Sequence, residues 1–198
     1  MVRKSLALPT TLMLSALLAL LSNACGGSLY RVKPVVELPP LTGEVKGGRA
    51  GGLVVAVAPL LSDEESQELF EANLPLAGVL PLRVEIGYES GVPVEIKKTR
   101  FHLRDTAGKE WKLLSPKQAI SRVLKANEVY AYNPNSRKQF EKDFGAYGLD
   151  QKTPLTPSER KRQGFLFFQT PDKEAVTSPR GLVLIVEGLT EPLSIALN

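Results

Sequence analysis

Between residues 80 and 88 the chain alternates without a break: Leu80, Leu82, Val84, Ile86 and Tyr88 are apolar or aromatic, with Pro81, Arg83, Glu85 and Gly87 between them. A period of two is the spacing of a strand with one buried face, so Arg83 and Glu85 are expected outside. After a turn at Ser90 and Gly91 the pattern continues through Val94 and Ile96 to Phe101 and Leu103. Asp105 and Gly108 then mark a tight turn, Asp to open it and Gly to supply a positive φ, so residues 100–105 and 109–114 are expected to pair as a hairpin. Residues 53–59 form an apolar run too short for a helix, which predicts a strand buried on both faces. Residues 165–168, 182–186 and 193–197 complete seven strands. Seven short antiparallel strands predict a mainly β domain folded as a sandwich, because a single sheet would leave an apolar face in water.

Three segments read as helices. Ser62 and Glu65 have the spacing of a capping box and open an acidic helix to about residue 72. Its Asp63, Glu64, Glu65, Glu68 and Glu71 read as a solvated face that suits a helix N-terminus rather than as a cation site. Ser115, Pro116 and Gln118 supply a cap, a first-turn proline and a box partner, leading into Ala119, Ile120, Val123 and Leu124 on one face. The third helix, about 136–147, carries Phe140, Phe144 and Tyr147 at helical spacing. The second and third lie in one insertion, 115–163, of about 50 residues where a hairpin loop has about 2–5. Insertions of that length are disproportionately functional. With Tyr130 and Tyr132 added, its aromatics have two readings, a cover over one end or face of the sandwich or a partner-binding surface. Its tail, Ser158-Glu159-Arg160-Lys161-Arg162, is the densest basic run in the chain. Thr156 or Ser158 is placed to cap a short helix there, and Arg160, Lys161 and Arg162 read as a solvated face or as contacts to anionic lipid or an acidic partner. Lys97, Lys98, Arg100, Arg137 and Lys138 are candidates to extend that patch.

The N-terminus carries an address. Residues 1–4 are cationic, 5–24 are uncharged and Leu-rich, and Ser22, Asn23 and Ala24 run into Cys25. Pro9, Thr10, Thr11, Ser22 and Asn23 shorten the apolar core below a bilayer span, so 1–24 read as a secretory signal peptide. Leu21-Ser22-Asn23-Ala24-Cys25 resembles the lipobox of bacterial lipoproteins, with Ser22 where a large aliphatic usually stands. The resemblance implies that Cys25 is acylated and becomes the first mature residue, holding the protein on a membrane. The competing reading is an ordinary cleavage site followed by a lone thiol. Gly26, where an Asp would resemble an inner-membrane retention signal, leans toward the outer membrane. Residues 25–52 are rich in Pro and Gly and read as a tether with a reach of roughly 28 Å, although residues 29–32 alternate enough for a short edge strand. The domain proper is expected at 53–198.

The stretch from Leu82 to Ile96, followed by Phe101 to Trp111, resembles the immunoglobulin-like domains of small exported bacterial proteins: a strand, a Ser/Gly turn, a Pro-Val-hydrophobic return and a Phe-x-Leu-x-Asp strand before a Gly turn. The resemblance implies an immunoglobulin-like antiparallel β-sandwich in an extracytoplasmic setting, with no functional residue to carry over.

Composition narrows the function classes. The chain has 198 residues, 43% hydrophobic and 23% charged, which suits one globular domain. Its 25 Lys and Arg against 21 Asp and Glu give +4, and loss of Arg3 and Lys4 with the signal leaves about +2, too little to argue for nucleic acid. One Cys excludes an internal disulfide and a Cys-based zinc site, and one His argues against a catalytic triad. His102 alternates with Phe101 and Leu103, so it is expected outside, beside Arg100 and Arg104. No phosphate loop, nucleophile motif or metal-ligand spacing stands in the chain, although paired carboxylates leave no spacing signature. The expectation is a non-enzymatic, cofactor-free binding or scaffolding module, lipid-anchored and facing an envelope protein partner. The alternative is a periplasmic carrier whose small ligand is enclosed under the insertion.

Overall fold

The computed structural model describes residues 30, 32–35, 38, 41, 45–90, 93–129, 133–159 and 161–197. Residues 1–25, read above as a signal peptide ending in a lipobox, and about half of the 25–52 segment lie outside the described residues. Eight strands run in the order β1 (Lys46–Ala50), β2 (Leu53–Pro59), β3 (Val79–Tyr88), β4 (Arg100–Arg104), β5 (Glu110–Leu114), β6 (Lys161–Gln169), β7 (Val183–Glu187) and β8 (Leu193–Ala196). Helix α1 (Asp63–Phe70) precedes β3, and α2 (Pro116–Ala126) and α3 (Pro134–Gly145) lie between β5 and β6. All eight strands join one antiparallel sheet in the order β1-β2-β3-β6-β5-β4-β7-β8.

The mainly β, antiparallel expectation holds, with β2 to β8 at the seven predicted places. The sheet, however, is a single ribbon rolled nearly shut rather than a specific immunoglobulin sandwich. Two junctions make it so. Strand β5 changes partner along its length, pairing Glu110 and Trp111 with β4 and Lys112, Leu113 and Leu114 with β6. At the other end β1 comes beside β8, where the Leu193 side chain covers Gly48 closely enough that a Cβ there would sit 2.5 Å from it.

Strand β1 falls inside the segment expected to be a tether. Its sequence, Lys-Gly-Gly-Arg-Ala, has no apolar alternation. Gly51 and Gly52 both adopt positive φ, 59° and 76°, the conformation of a two-residue hairpin turn that matches strand twist. Other described residues of that segment are docked as well: Tyr30, Val32, Val35 and Leu38 pack on the domain, Lys33 N–H donates to the Leu69 carbonyl at 3.0 Å, and the Tyr147 hydroxyl donates to the Lys33 carbonyl. Val94 and Ile96 do not form a strand. Val94 makes an isolated bridge to Leu155, and Ile96 is buried in the interior.

The rolled sheet has two apolar sides. Inside lie Leu53, Val55 and Val57 of β2, Leu82, Val84 and Ile86 of β3, Phe101 and Leu103 of β4, Trp111, Leu166, Phe168, Leu184 and Ile195. Outside, over β3 and β6, Phe70 of α1, Ile120 and Val123 of α2, Phe140 and Phe144 of α3 and Tyr147 pack on Val79, Phe165 and Phe167. The apolar run of β6 is therefore buried on both faces. Strand β2, for which that was expected, alternates instead, with Leu53, Val55 and Val57 buried and Val54, Ala56 and Ala58 half-buried. Arg83, expected outside, is buried on the helix-covered face and donates to Gln163 at 3.2 Å. Both predicted caps form: Ser62 Oγ accepts from Glu65 N–H at 3.1 Å, and Ser115 and Gln118 close a reciprocal capping box. Such a cap contributes about 1 kcal/mol.

Candidate functional site

The expected lipidation site, Cys25, and three of the expected contact residues, Tyr130, Tyr132 and Arg160, lie outside the described residues. Lys161 and Arg162 open β6, and neighbours on a strand point to opposite faces. Lys161 is exposed and reaches Glu85 at 2.8 Å across β3. Arg162 turns inward. It is 8% exposed, and its Nε donates to Glu159 at 2.7 Å. Its remaining nitrogens donate to the carbonyls of Asp150 at 3.1 Å, Pro154 at 3.2 Å and Thr153. The expectation that Arg162 presents its charge to a partner is corrected: the guanidinium clamps the 150–154 loop, and its hydrogen bonds to Glu159 hold its pKa above the ordinary arginine value. The predicted helix at Thr156 and Ser158 is a turn, in which Glu159 N–H donates to the Thr156 carbonyl at 2.9 Å.

The described aromatics of the insertion are a cover. Phe140, Phe144 and Tyr147 are buried, with Phe70–Phe144 and Phe144–Phe167 ring centroids 5.1 and 4.8 Å apart. Burying each such side chain stabilises the fold by about 1.5–3 kcal/mol. The part of the insertion that follows α3 has a different task. Leu149 N–H donates to the Phe165 carbonyl, Val94 and Leu155 exchange two hydrogen bonds, and Gln151 Nε2 donates to the Thr99 carbonyl at 3.1 Å. This segment ties β6 to the 94–99 stretch that leads into β4.

Beside that segment lies an open concavity. A hairpin continuing its register beyond Leu103↔Trp111 would pair His102 with Lys112 and Phe101 with Leu113, but β5 leaves β4 there and turns to β6. The separation opens a cleft of about 380 Å³ lined by Thr99, Arg100, His102, Trp111, Lys112 and Gln151, among others. Leu113 and Gln151 also line a neighbouring open cleft of about 660 Å³, which extends past Lys152 to Pro116. Leu113 shares a sheet face with the fully buried Phe168 across the ladder, yet is itself 37% exposed. Among the described residues three buried side-chain polar atoms without a hydrogen-bond partner, Thr99 Oγ1, His102 Nε2 and Trp111 Nε1, belong to residues of this cleft. A buried donor or acceptor left unsatisfied costs about 1–3 kcal/mol.

The charges around the cleft are unequal. His102 Nδ1 lies 2.7 Å from Glu110, and that hydrogen bond is the chief reason the Glu110 carboxyl sits below the usual carboxylate range. His102 Nε2 is 3.7 Å from Glu187, so the imidazole stands among acids rather than beside Arg100 and Arg104 alone. Asp150 is held low chiefly by the Thr153 hydroxyl, then by the Lys152 N–H at 2.9 Å. Arg100, Lys112 and Lys152 are exposed and form no ion pair among the described residues. Arg137, by contrast, is paired with Glu141 at 2.7 Å along α3. Among the described residues no group of three or more His, Cys, Asp or Glu could hold a metal ion, and no helix is long and apolar enough to cross a membrane. The cleft was not legible in the sequence beyond Arg100, because strand separation leaves no local pattern. No family model matches the chain, and no curated protein or solved structure matches it.

Proposed function

We propose that the chain is an envelope lipoprotein, acylated at Cys25 and facing the periplasm from the outer membrane, whose β domain is a non-enzymatic binding or scaffolding module for another envelope component. The observation that supports a binding module over a carrier is the way apolar volume is used. The interior of the rolled sheet and the space under the helices are packed with Leu, Ile, Phe and Trp side chains, while the clefts at the β4–β5 separation open outward. A carrier needs an enclosed, mostly apolar pocket. The immunoglobulin-like kinship is kept within the same proposal: its residues fall on β3, β4, the start of β5 and the connection between β3 and β4 in which Val94 bridges to Leu155.

Metabolic labelling with a fatty-acid analogue tests the anchor. The native chain takes up label and fractionates with membranes, and Cys25→Ser does neither; equal labelling of the variant overturns it. Native mass spectrometry of the protein from its own membranes tests the module, since a stoichiometric small molecule retained in the domain would favour the carrier.

A further inference from the structure

We propose that the cleft between β4 and β5 is a docking groove for a short, extended, acidic segment of a partner protein. This deepens the binding-module reading and rests on it, though not on the lipid anchor.

Three observations point to this occupant. The first is the unfinished ladder. Arg100, Phe101 and His102 pair with β7 on one side, and Lys112, Leu113 and Leu114 pair with β6 on one side. Their other edges face the cleft, where the β4–β5 ladder has already stopped. An exposed strand edge offers N–H and C=O groups at about 3.3 Å per residue, the template that an added strand reads. Three residues on each side set a guest of about three to four residues. The second is a pair of buried polar atoms without a hydrogen-bond partner, Thr99 Oγ1 and Trp111 Nε1, on residues lining the same cleft. Polar groups at a binding surface are commonly satisfied by the partner or by bridging water. The third is charge. The acids of the lining are already engaged, Glu110 by His102 and Asp150 by its own loop, whereas Arg100, Lys112 and Lys152 are exposed without an ion pair among the described residues. A carboxylate-bearing guest complements them, and Leu113 offers an apolar seat for an alternate side chain.

The test uses the full chain in mild detergent and two fluorescein-labelled heptapeptides, one alternating valine with glutamate and one alternating valine with lysine. The glutamate peptide is expected to bind saturably, at least about tenfold tighter than the lysine peptide, and more weakly as salt is raised. Lys112→Glu combined with Lys152→Glu should weaken it by about tenfold or more with the melting temperature unchanged. On binding, amide exchange should slow at residues 100–102 and 112–114. No saturable binding, equal affinity for the two peptides, or slowed exchange confined to other strands would each overturn the proposal. Displacement of the peptide by dextran sulfate that protects neither strand edge would overturn it in favour of a plain polyanion surface. None of these failures touches the acylation test at Cys25 or the native mass measurement, so groove and module are judged separately.

Discussion

Replacing Arg162 with Met separates a structural arginine from a surface one. The substitution keeps an apolar stem of similar length and removes every donor, leaving the carbonyls of Asp150, Thr153 and Pro154 and the Glu159 carboxylate without their partner. Breaking a buried charged pair costs about 3–5 kcal/mol, and each hydrogen bond to a charged group contributes about 1.5–3 kcal/mol. Glu159 is 33% exposed and regains water, so its share is discounted. About 3 kcal/mol remains, which for a chain of this length lowers the melting temperature by about 6–12 °C. Lys161→Met is the control, because the Lys161–Glu85 pair is exposed and contributes about 0–1 kcal/mol. Urea unfolding of both variants gives the comparison, and amide exchange at residues 150–155 gives its location. The reasoning is refuted if the two variants lose the same stability, or if Arg162→Met is destabilised with no faster exchange in that loop. Reversing Arg162 to Glu would report on folding, as would reversing Arg100, which stands opposite Glu187 on β7, so charge-reversal tests of partner binding belong at Lys112 and Lys152.

Val84→Asp places an unpaired charge in a fully buried position of the rolled sheet and should leave no cooperative melt, whereas His102→Ala at the rim should cost about 1 kcal/mol or less; the reverse order in thermal melts would put the β3 and β4 registers one residue out. Gly164→Ala should destabilise by about 1–3 kcal/mol in urea, because the new methyl would lie 2.5 Å from Leu149 Cα and 2.7 Å from its nitrogen, backbone atoms that cannot swing aside; a neutral result would mean the 148–149 crossing is looser than drawn. Asp150 has a depressed folded pKa, so its contribution is complete above the ordinary value of about 3.9 and is lost as pH falls through the lower folded value. The stability gap between the native chain and Asp150→Asn should therefore close as the pH drops below about 4, and a gap that widens in acid would refute the assignment.

Where structure is local, it was legible. The caps at Ser62 and Ser115 depend on groups three residues apart and form as expected. The alternations in β3 and β4 set their inward faces correctly, with Leu82, Val84, Phe101 and Leu103 all in the interior. Strand β1 escaped because two of its five residues are glycines kept for proximity. A Cβ at Gly47 would stand 2.6 Å from the Val55 carbonyl oxygen, and one at Gly48 would meet Leu193. In the linear chain those glycines are indistinguishable from a flexible tether. Arg83 likewise follows the alternation, but its face of β3 is covered by packing with α1 and the Gln163 side chain of β6.

The chain by itself determined seven of the eight strands and the three helices, the turn at Gly108, the caps at Ser62 and Ser115 and most of the apolar faces that must be buried, since backbone propensity and side-chain periodicity act over a few residues. Only the tertiary structure decided which strands meet, that β5 divides itself between β4 and β6, and that Lys161 and Arg162, adjacent in the chain, have opposite fates. The cleft and its orphaned polar atoms arise at that division. They depend on where two strands part, and separation in space is set by packing between segments remote in sequence, which no local pattern records.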